Sequence, residues 1–196
     1  MLDSYRKIRN SPPTVSVIGF KNSGKTSIAV GLVTKLRERG WRVMSVKHGH
    51  HHDIDTPGTD SWRLRHEGGA EKVVLSGPEG FAVMGVWGQD SEMSLQEVTS
   101  RFLPEADIVV AEGYKGSTVP KIEVWRTDAG NPLLYRPESS DGALYLAVVS
   151  DSRDLDMTIP VFDLANPNLF DCLAELVEKG LLKSKRSDYE EGESSG

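Results

Sequence analysis

The chain has 196 residues, 27% of them charged and 38% hydrophobic, a net charge of -6 at neutral pH and a single cysteine. That length suits one well-buried domain, and the acidic balance argues against a broad nucleic-acid-binding surface. One cysteine excludes an internal disulfide and a cysteine-cluster metal site; the absence of a membrane-length apolar run or a signal-like N-terminus makes the cytoplasm the expected compartment, with no membrane role.

Residues 1–13 are polar and close on Pro12-Pro13, which reads as a loosely ordered arm. Thr14-Val15-Ser16-Val17-Ile18 is an apolar, β-branched run of the kind that forms a buried strand. It leads into Gly19-Phe20-Lys21-Asn22-Ser23-Gly24-Lys25-Thr26, which fits the Walker A pattern of a phosphate loop. Ser27 opens the following helix, where Ile28, Leu32, Val33 and Leu36 recur at helical spacing until Gly40. Strand, glycine-rich turn and helix N-terminus are the parts a polyphosphate site needs. The turn aims backbone N–H groups inward, and the helix end adds positive potential. In such a loop Lys25 reaches the β- and γ-phosphates and the Thr26 hydroxyl ligates Mg²⁺. The chain is therefore expected to bind a nucleoside triphosphate.

Residues 41–47 form the next expected strand, ending in the histidine-rich segment from Lys47. Asp60 to Glu67 suits a short helix closed by Gly68-Gly69. Residues 72–76 and 81–86 read as strands joined by a hairpin turn at Gly77-Pro78-Glu79-Gly80. Ser94-Leu95-Gln96-Glu97 has the capping-box pattern of a helix running to Phe102. Residues 107–111 are an apolar strand running into Glu112-Gly113. In residues 121–125, Ile122 and Val124 alternate with Lys121, Glu123 and Trp125, which predicts an antiparallel strand with one less buried face. Residues 144–149 are a buried strand, and Asn166-Pro167 predicts the start of a last helix to Lys179. Cys172, among Leu169, Leu173 and Leu176, reads as a small buried hydrophobe. Residues 14–182 then make an α/β P-loop domain: a mostly parallel sheet flanked by helices, with 81–86 and 121–125 as antiparallel additions at an edge. The polar tail 183–196 cannot bury a core.

Ligands in such sheets gather at the carboxyl ends of the strands, and this sorts the acids. Glu112 follows four apolar residues in the Walker B layout, placed to hold Mg²⁺ or to orient a water, whereas Asp107 begins its strand and reads as surface. His48, His50, His51 and His52 also follow a strand end, and three readings compete for them: a transition-metal site, hydrogen bonds to phosphate, or a solvated loop. Asp55 and Asp60 lie where a second Mg²⁺ shell or a nucleotide-sensing loop is expected. Asp151 ends a strand and either accepts from guanine N1 and N2 or is a turn acid. Arg63 and Arg65 either clamp an anion or form an exposed helix face, while Lys115 is placed to reach a phosphate or a partner's carboxylate.

Together, Gly19 to Thr26, Lys47-His48-Gly49-His50-His51-His52, Asp55-Thr56-Pro57-Gly58-Thr59-Asp60-Ser61, Gly69-Ala70, Glu112-Gly113-Tyr114-Lys115 and Pro120-Lys121-Ile122-Glu123 resemble one family, molybdopterin-guanine dinucleotide biosynthesis protein B (MobB). The likeness runs from residue 14 to 180, with a slightly shorter loop before Asp55. It implies a GTP-binding protein with weak GTPase activity, an adaptor for the MobA-type guanylyltransferase that joins GMP to molybdopterin. Molybdopterin and molybdoenzyme apoproteins are further implied partners, and the family's homodimers form through extra β-strands, which suits 81–86 and 121–125. By the same resemblance Gly19, Lys21, Asn22, Ser23, Gly24, Lys25, Thr26 and Ser27 bind GTP, and Asp55, Asp60 and Glu112 surround Mg²⁺ or the attacking water. No arginine lies within the loop itself, so Arg63, Arg65 or a partner is the expected source of any arginine finger. The alternatives are a metal-insertion GTPase using the histidines, a non-hydrolysing nucleotide-gated module, and a small-molecule kinase, for which the chain lacks an arginine-rich lid.

Overall fold

Every residue of Thr14–Ile18 can be buried, and a strand apolar on both faces belongs inside a parallel sheet. A computed structural model of the chain describes residues 11–49, 55–87, 92–152 and 154–182. In chain order its regular elements are β1 (Thr14–Ile18), α1 (Lys25–Glu38), β2 (Val43–Lys47), α2 (Asp60–His66), β3 (Lys72–Gly77), β4 (Gly80–Gly85), α3 (Leu95–Phe102), β5 (Ile108–Glu112), β6 (Lys121–Trp125), β7 (Tyr145–Ser150), β8 (Val161–Asp163) and α4 (Leu169–Val177). The chain divides into two units, residues 1–48 with 94–196, and residues 49–93.

In the first unit six strands form one sheet in the order β2-β5-β1-β6-β7-β8, all neighbours parallel. β1 lies inside it, between β5 and β6, with all five residues buried. Helices α1 and α4 cover one face, packing Ile28, Leu32, Leu36, Leu169, Leu173 and Val177 against Val15, Val17, Val110, Ile122 and Val124. On the opposite face Leu95 of α3 meets Ala111 and Val119, while Ile18, Tyr135, Tyr145 and Val148 form a further cluster. The expected capping box closes α3: Ser94 and Glu97 each accept from the other's backbone N–H. Ser11, just before β1, hydrogen-bonds Thr99 at 2.6 Å.

The fold class is as the sequence predicts, with one strand corrected. β6 is neither antiparallel nor at an edge; it pairs in parallel with β1 and β7, and Lys121 and Glu123 are fully buried. The alternation that reads as a half-exposed face is real, but the segment after β6 covers it. Glu123 accepts from the backbone N–H groups of Leu134 and Tyr135 at 2.7 and 2.8 Å, and the Lys121 ammonium meets Asp141 at 3.1 Å. Such pairing offsets part of the desolvation penalty of a buried charge. The last helix starts later than Asn166-Pro167 suggests, because Asn166 spends its side-chain oxygen on the N–H of Asn168 in a preceding turn. Asp107, read as surface, is half-exposed and also links the starts of two strands: its carboxylate accepts from the Arg42 N–H at 2.9 Å.

In the second unit Thr59 caps α2 through the Trp62 N–H, and β3 and β4 form a two-stranded antiparallel hairpin. Cross-strand partners share a face. Val73 and Met84 are buried on one, whereas Val74, Val83 and Phe81 on the other are 59%, 46% and 79% exposed. Among the described residues no helix is long and apolar enough to cross a membrane.

Candidate phosphate-binding site

The strand order reverses direction around β1, so the carboxyl ends of β5, β1 and β6 are where a parallel sheet offers a ligand site. The glycine-rich loop leaves β1 at that edge. Asn22 and Gly24 take left-handed backbone angles, φ 65° and 94°, which fold the loop tightly ahead of α1. Gly19 is needed for another reason: a Cβ there would collide with the carbonyl oxygen of Val124 on β6. Lys25 and Thr26 stand in the first turn of α1, and Ser27 follows, exposed. The Lys25 ammonium folds back onto the Phe20 carbonyl at 2.5 Å, and the Ser23 hydroxyl is buried without a hydrogen-bond partner among the described residues.

Glu112 ends β5 and faces the loop. Both of its carboxylate oxygens accept from the Thr26 hydroxyl at 3.0 Å, and the Lys47 ammonium stands 3.6 Å away. Register explains the meeting: Glu112 pairs with Val17 on one side and with Lys47 on the other. Gly113 then turns the chain at φ 96°, where a Cβ would press on His48 at 3.2 Å, and Tyr114 follows at φ 53° with its ring against the His48 ring. This turn brings Lys115 over the Phe20 ring at 4.0 Å. Burial holds the Lys25 ammonium below the ordinary lysine range, opposed by Glu112 and helped by the ammonium groups of Lys115 and Lys47. The site is thus a cluster of cations around one carboxylate. A groove of about 310 Å³ runs from Thr26 and Glu112 past Val30, Val33 and Val46. Those apolar walls do not suit phosphates; the loop, not the groove, offers the N–H and ammonium donors that an anion needs.

The structure therefore brings together Gly19, Lys21, Asn22, Ser23, Gly24, Lys25, Thr26, Ser27 and Glu112. Asp151 stands at the end of β7 and accepts from the backbone N–H and hydroxyl of Thr127 at 3.0 and 3.3 Å. Asp55 and Asp60 belong to the second unit. There Asp55 accepts from Thr59 and Ser61 at 3.1 and 2.9 Å and stands 3.6 Å from Arg65, while Asp60 lies in the first turn of α2. Arg63 is paired with Glu67. His50, His51 and His52 lie outside the described residues, and among the described ones no group of three or more His, Cys, Asp or Glu is placed to hold a metal. One residue of this edge escapes the sequence reading. Arg126, directly after β6, donates to the Ser23 carbonyl at 3.3 Å. The carboxyl-edge rule that picks out Glu112 finds it only once β6 is known to be parallel.

The family profile for molybdopterin guanine dinucleotide synthesis protein B (MobB) matches residues 14–151. The molybdopterin-guanine dinucleotide biosynthesis adapter protein of Haemophilus influenzae is 30% identical over 176 residues, covering 89% of this chain and 92% of that protein. The adapter protein of the same name from Escherichia coli is 30% identical over 170 residues, covering 85% and 94%. Among solved structures, a crystal structure of molybdopterin-guanine biosynthesis protein B superposes with a TM-score of 0.62 at 26% identity, covering 86% of this chain and 99% of that one. The MobB homologue of Bacillus stearothermophilus gives 0.61 at 23% identity, covering 85% and 98%, which speaks to the fold alone.

Proposed function

The chain belongs to the MobB family, and from that footing we propose that it is an adaptor in molybdopterin guanine dinucleotide synthesis that binds GTP with Mg²⁺ and hydrolyses it slowly. One observation carries the nucleotide part: the Thr26 hydroxyl lies on both oxygens of Glu112 beside a glycine-rich turn at the switch point of a parallel sheet. The donor set suits the ligand. A hydroxyl and a carboxylate are the hard oxygens Mg²⁺ takes, and the loop offers backbone N–H groups and the Lys25 ammonium to phosphates. Bound there, Mg²⁺ neutralises charge that develops on the phosphates.

In this reading the chain's own groups do the following. Lys25 exchanges the Phe20 carbonyl for phosphate oxygens, Thr26 and Glu112 would hold the metal, and Glu112 would do so directly or through the water it orients. Asp55 and Asp60 are further candidates on the metal side, and Asp151 is the candidate acceptor for the guanine edge. The partner is a MobA-type guanylyltransferase, and molybdopterin or molybdoenzyme apoproteins are the further partners of that reaction. The exposed apolar face of the β3–β4 hairpin supports self-association as a homodimer.

Titration calorimetry with GTP and ATP, each with Mg²⁺, tests the proposal. The expected result is a preference for GTP that Lys25→Ala abolishes. Equal binding of the two nucleotides overturns the guanine assignment, and failure to bind either overturns the nucleotide reading.

A further inference from the structure

Among the described half-buried arginines, Arg39, Arg65 and Arg126, only Arg126 lacks a carboxylate partner. Arg39 meets Asp171 and Glu178, Arg63 meets Glu67, and Arg65 faces Asp55. Arg126, half-buried at the carboxyl end of β6, meets no carboxylate among the described residues; its one hydrogen bond is the 3.3 Å contact from Nε to the Ser23 carbonyl. The guanidinium carries five donors, and a neutral carbonyl answers one of them. Its position is fixed by its neighbours. β6 pairs directly with β1, and Nε and Nη2 stand 3.9 and 4.0 Å from where a Cβ on Gly24 would lie. The next residue, Thr127, is tied to Asp151, so the backbone carrying Arg126 is held at both the loop and the end of β7. A planar cation with unused donors, set over the glycine of a phosphate loop, has the chemistry of a phosphate-oxygen ligand.

We infer that Arg126 is a nucleotide-binding residue that contacts the phosphate chain, a guanidinium supplied in cis from β6 on the side of the loop opposite Glu112 and β5. The inference rests on the nucleotide reading above and adds to it a phosphate ligand distinct from any arginine finger that Arg63, Arg65 or a partner would supply. The Ser23 contact holds the side chain ready, and its remaining N–H groups serve the ligand.

The test compares Arg126→Lys and Arg126→Gln with the unsubstituted protein, using titration calorimetry with GTP and GDP and the melting temperature without ligand. Gln keeps a neutral N–H donor for the Ser23 carbonyl and loses the charge; Lys keeps the charge and loses the fork. The expected result is a loss of roughly 10- to 100-fold in affinity for both nucleotides in Arg126→Gln, partial recovery in Arg126→Lys, and melting temperatures close to the parent's. Recovery by Gln as good as by Lys would make Arg126 a strut of the loop and overturn the inference. So would unchanged affinity in Arg126→Gln. If the unsubstituted protein binds neither nucleotide, the nucleotide reading falls first and takes this inference with it; tight binding left intact by Arg126→Gln removes the inference alone.

Discussion

The places of Lys25, Thr26 and Glu112 are legible in the sequence, because a phosphate loop is a local pattern and Glu112 is marked by the apolar run before it. Arg126 was not, since its meaning depends on which strand lies beside β1. Two predictions belong to single side chains. Glu112→Gln leaves one oxygen toward Thr26 but removes the charge that holds metal and water, so GTP turnover should fall on the order of 100-fold; phosphate release measures it, and unaltered turnover would favour a non-hydrolysing module. Burial lowers the affinity of Lys25 for its proton, while bound phosphates demand the ammonium form. Affinity for GTP should therefore decline with rising pH at values where an ordinary lysine, with a pKa of 10.5, is still charged. Titrations in buffers of different ionisation enthalpy should show proton uptake on binding at the alkaline end, and binding without proton uptake would contradict it.

Most strands and helices were legible from period and punctuation, β1 and α3 best of all, because their apolar runs and the Ser94 capping box are local signals. β6 was misread, because periodicity reports alternation and cannot report what covers the polar face. Here Leu134, Tyr135 and Asp141 supply that cover, from residues whose sequence carries no regular pattern. β8 went unseen because three residues after a proline give no period to read. Glu123→Gln sets an amide N–H₂ against a backbone N–H, and should cost about 1–3 kcal/mol in chemical denaturation. Burial raises the Glu123 carboxyl above its ordinary 4.5, against the pull of its two backbone donors. The folded state then holds that proton longer than the unfolded one. Its contribution to stability is full below pH 4.5 and declines as pH rises through the raised value, so the Gln variant should show a flatter melting-temperature profile across that window. Ser94→Ala removes the hydroxyl half of the cap on α3, leaving the backbone N–H of residue 94 on Glu97, and should cost about 1 kcal/mol in chemical denaturation.

For the molecule as a whole, the P-loop fold followed from strands alternating with helices, whereas of the two segments proposed for self-association only one keeps a free face. Residues 121–125 cannot join a partner, since β1 and β7 already occupy both edges of that strand. The hairpin remains as the proposed surface: sedimentation velocity should give a dimer for the unsubstituted protein and a monomer for Phe81→Glu with Val83→Lys, and a monomeric parent or an unchanged assembly would overturn that proposal. The parallel order has a temporal consequence as well. Thr14 pairs with Val109 and Ser16 with Lys121, so β1 gains both its neighbours only after most of the chain exists. During synthesis the Walker A sequence emerges early but waits unbraced for β5 and β6, and closing so long a loop makes folding slow. A chain halted before β6 carries the phosphate loop's letters without its shape, and a ligand can stabilise only what has already been assembled.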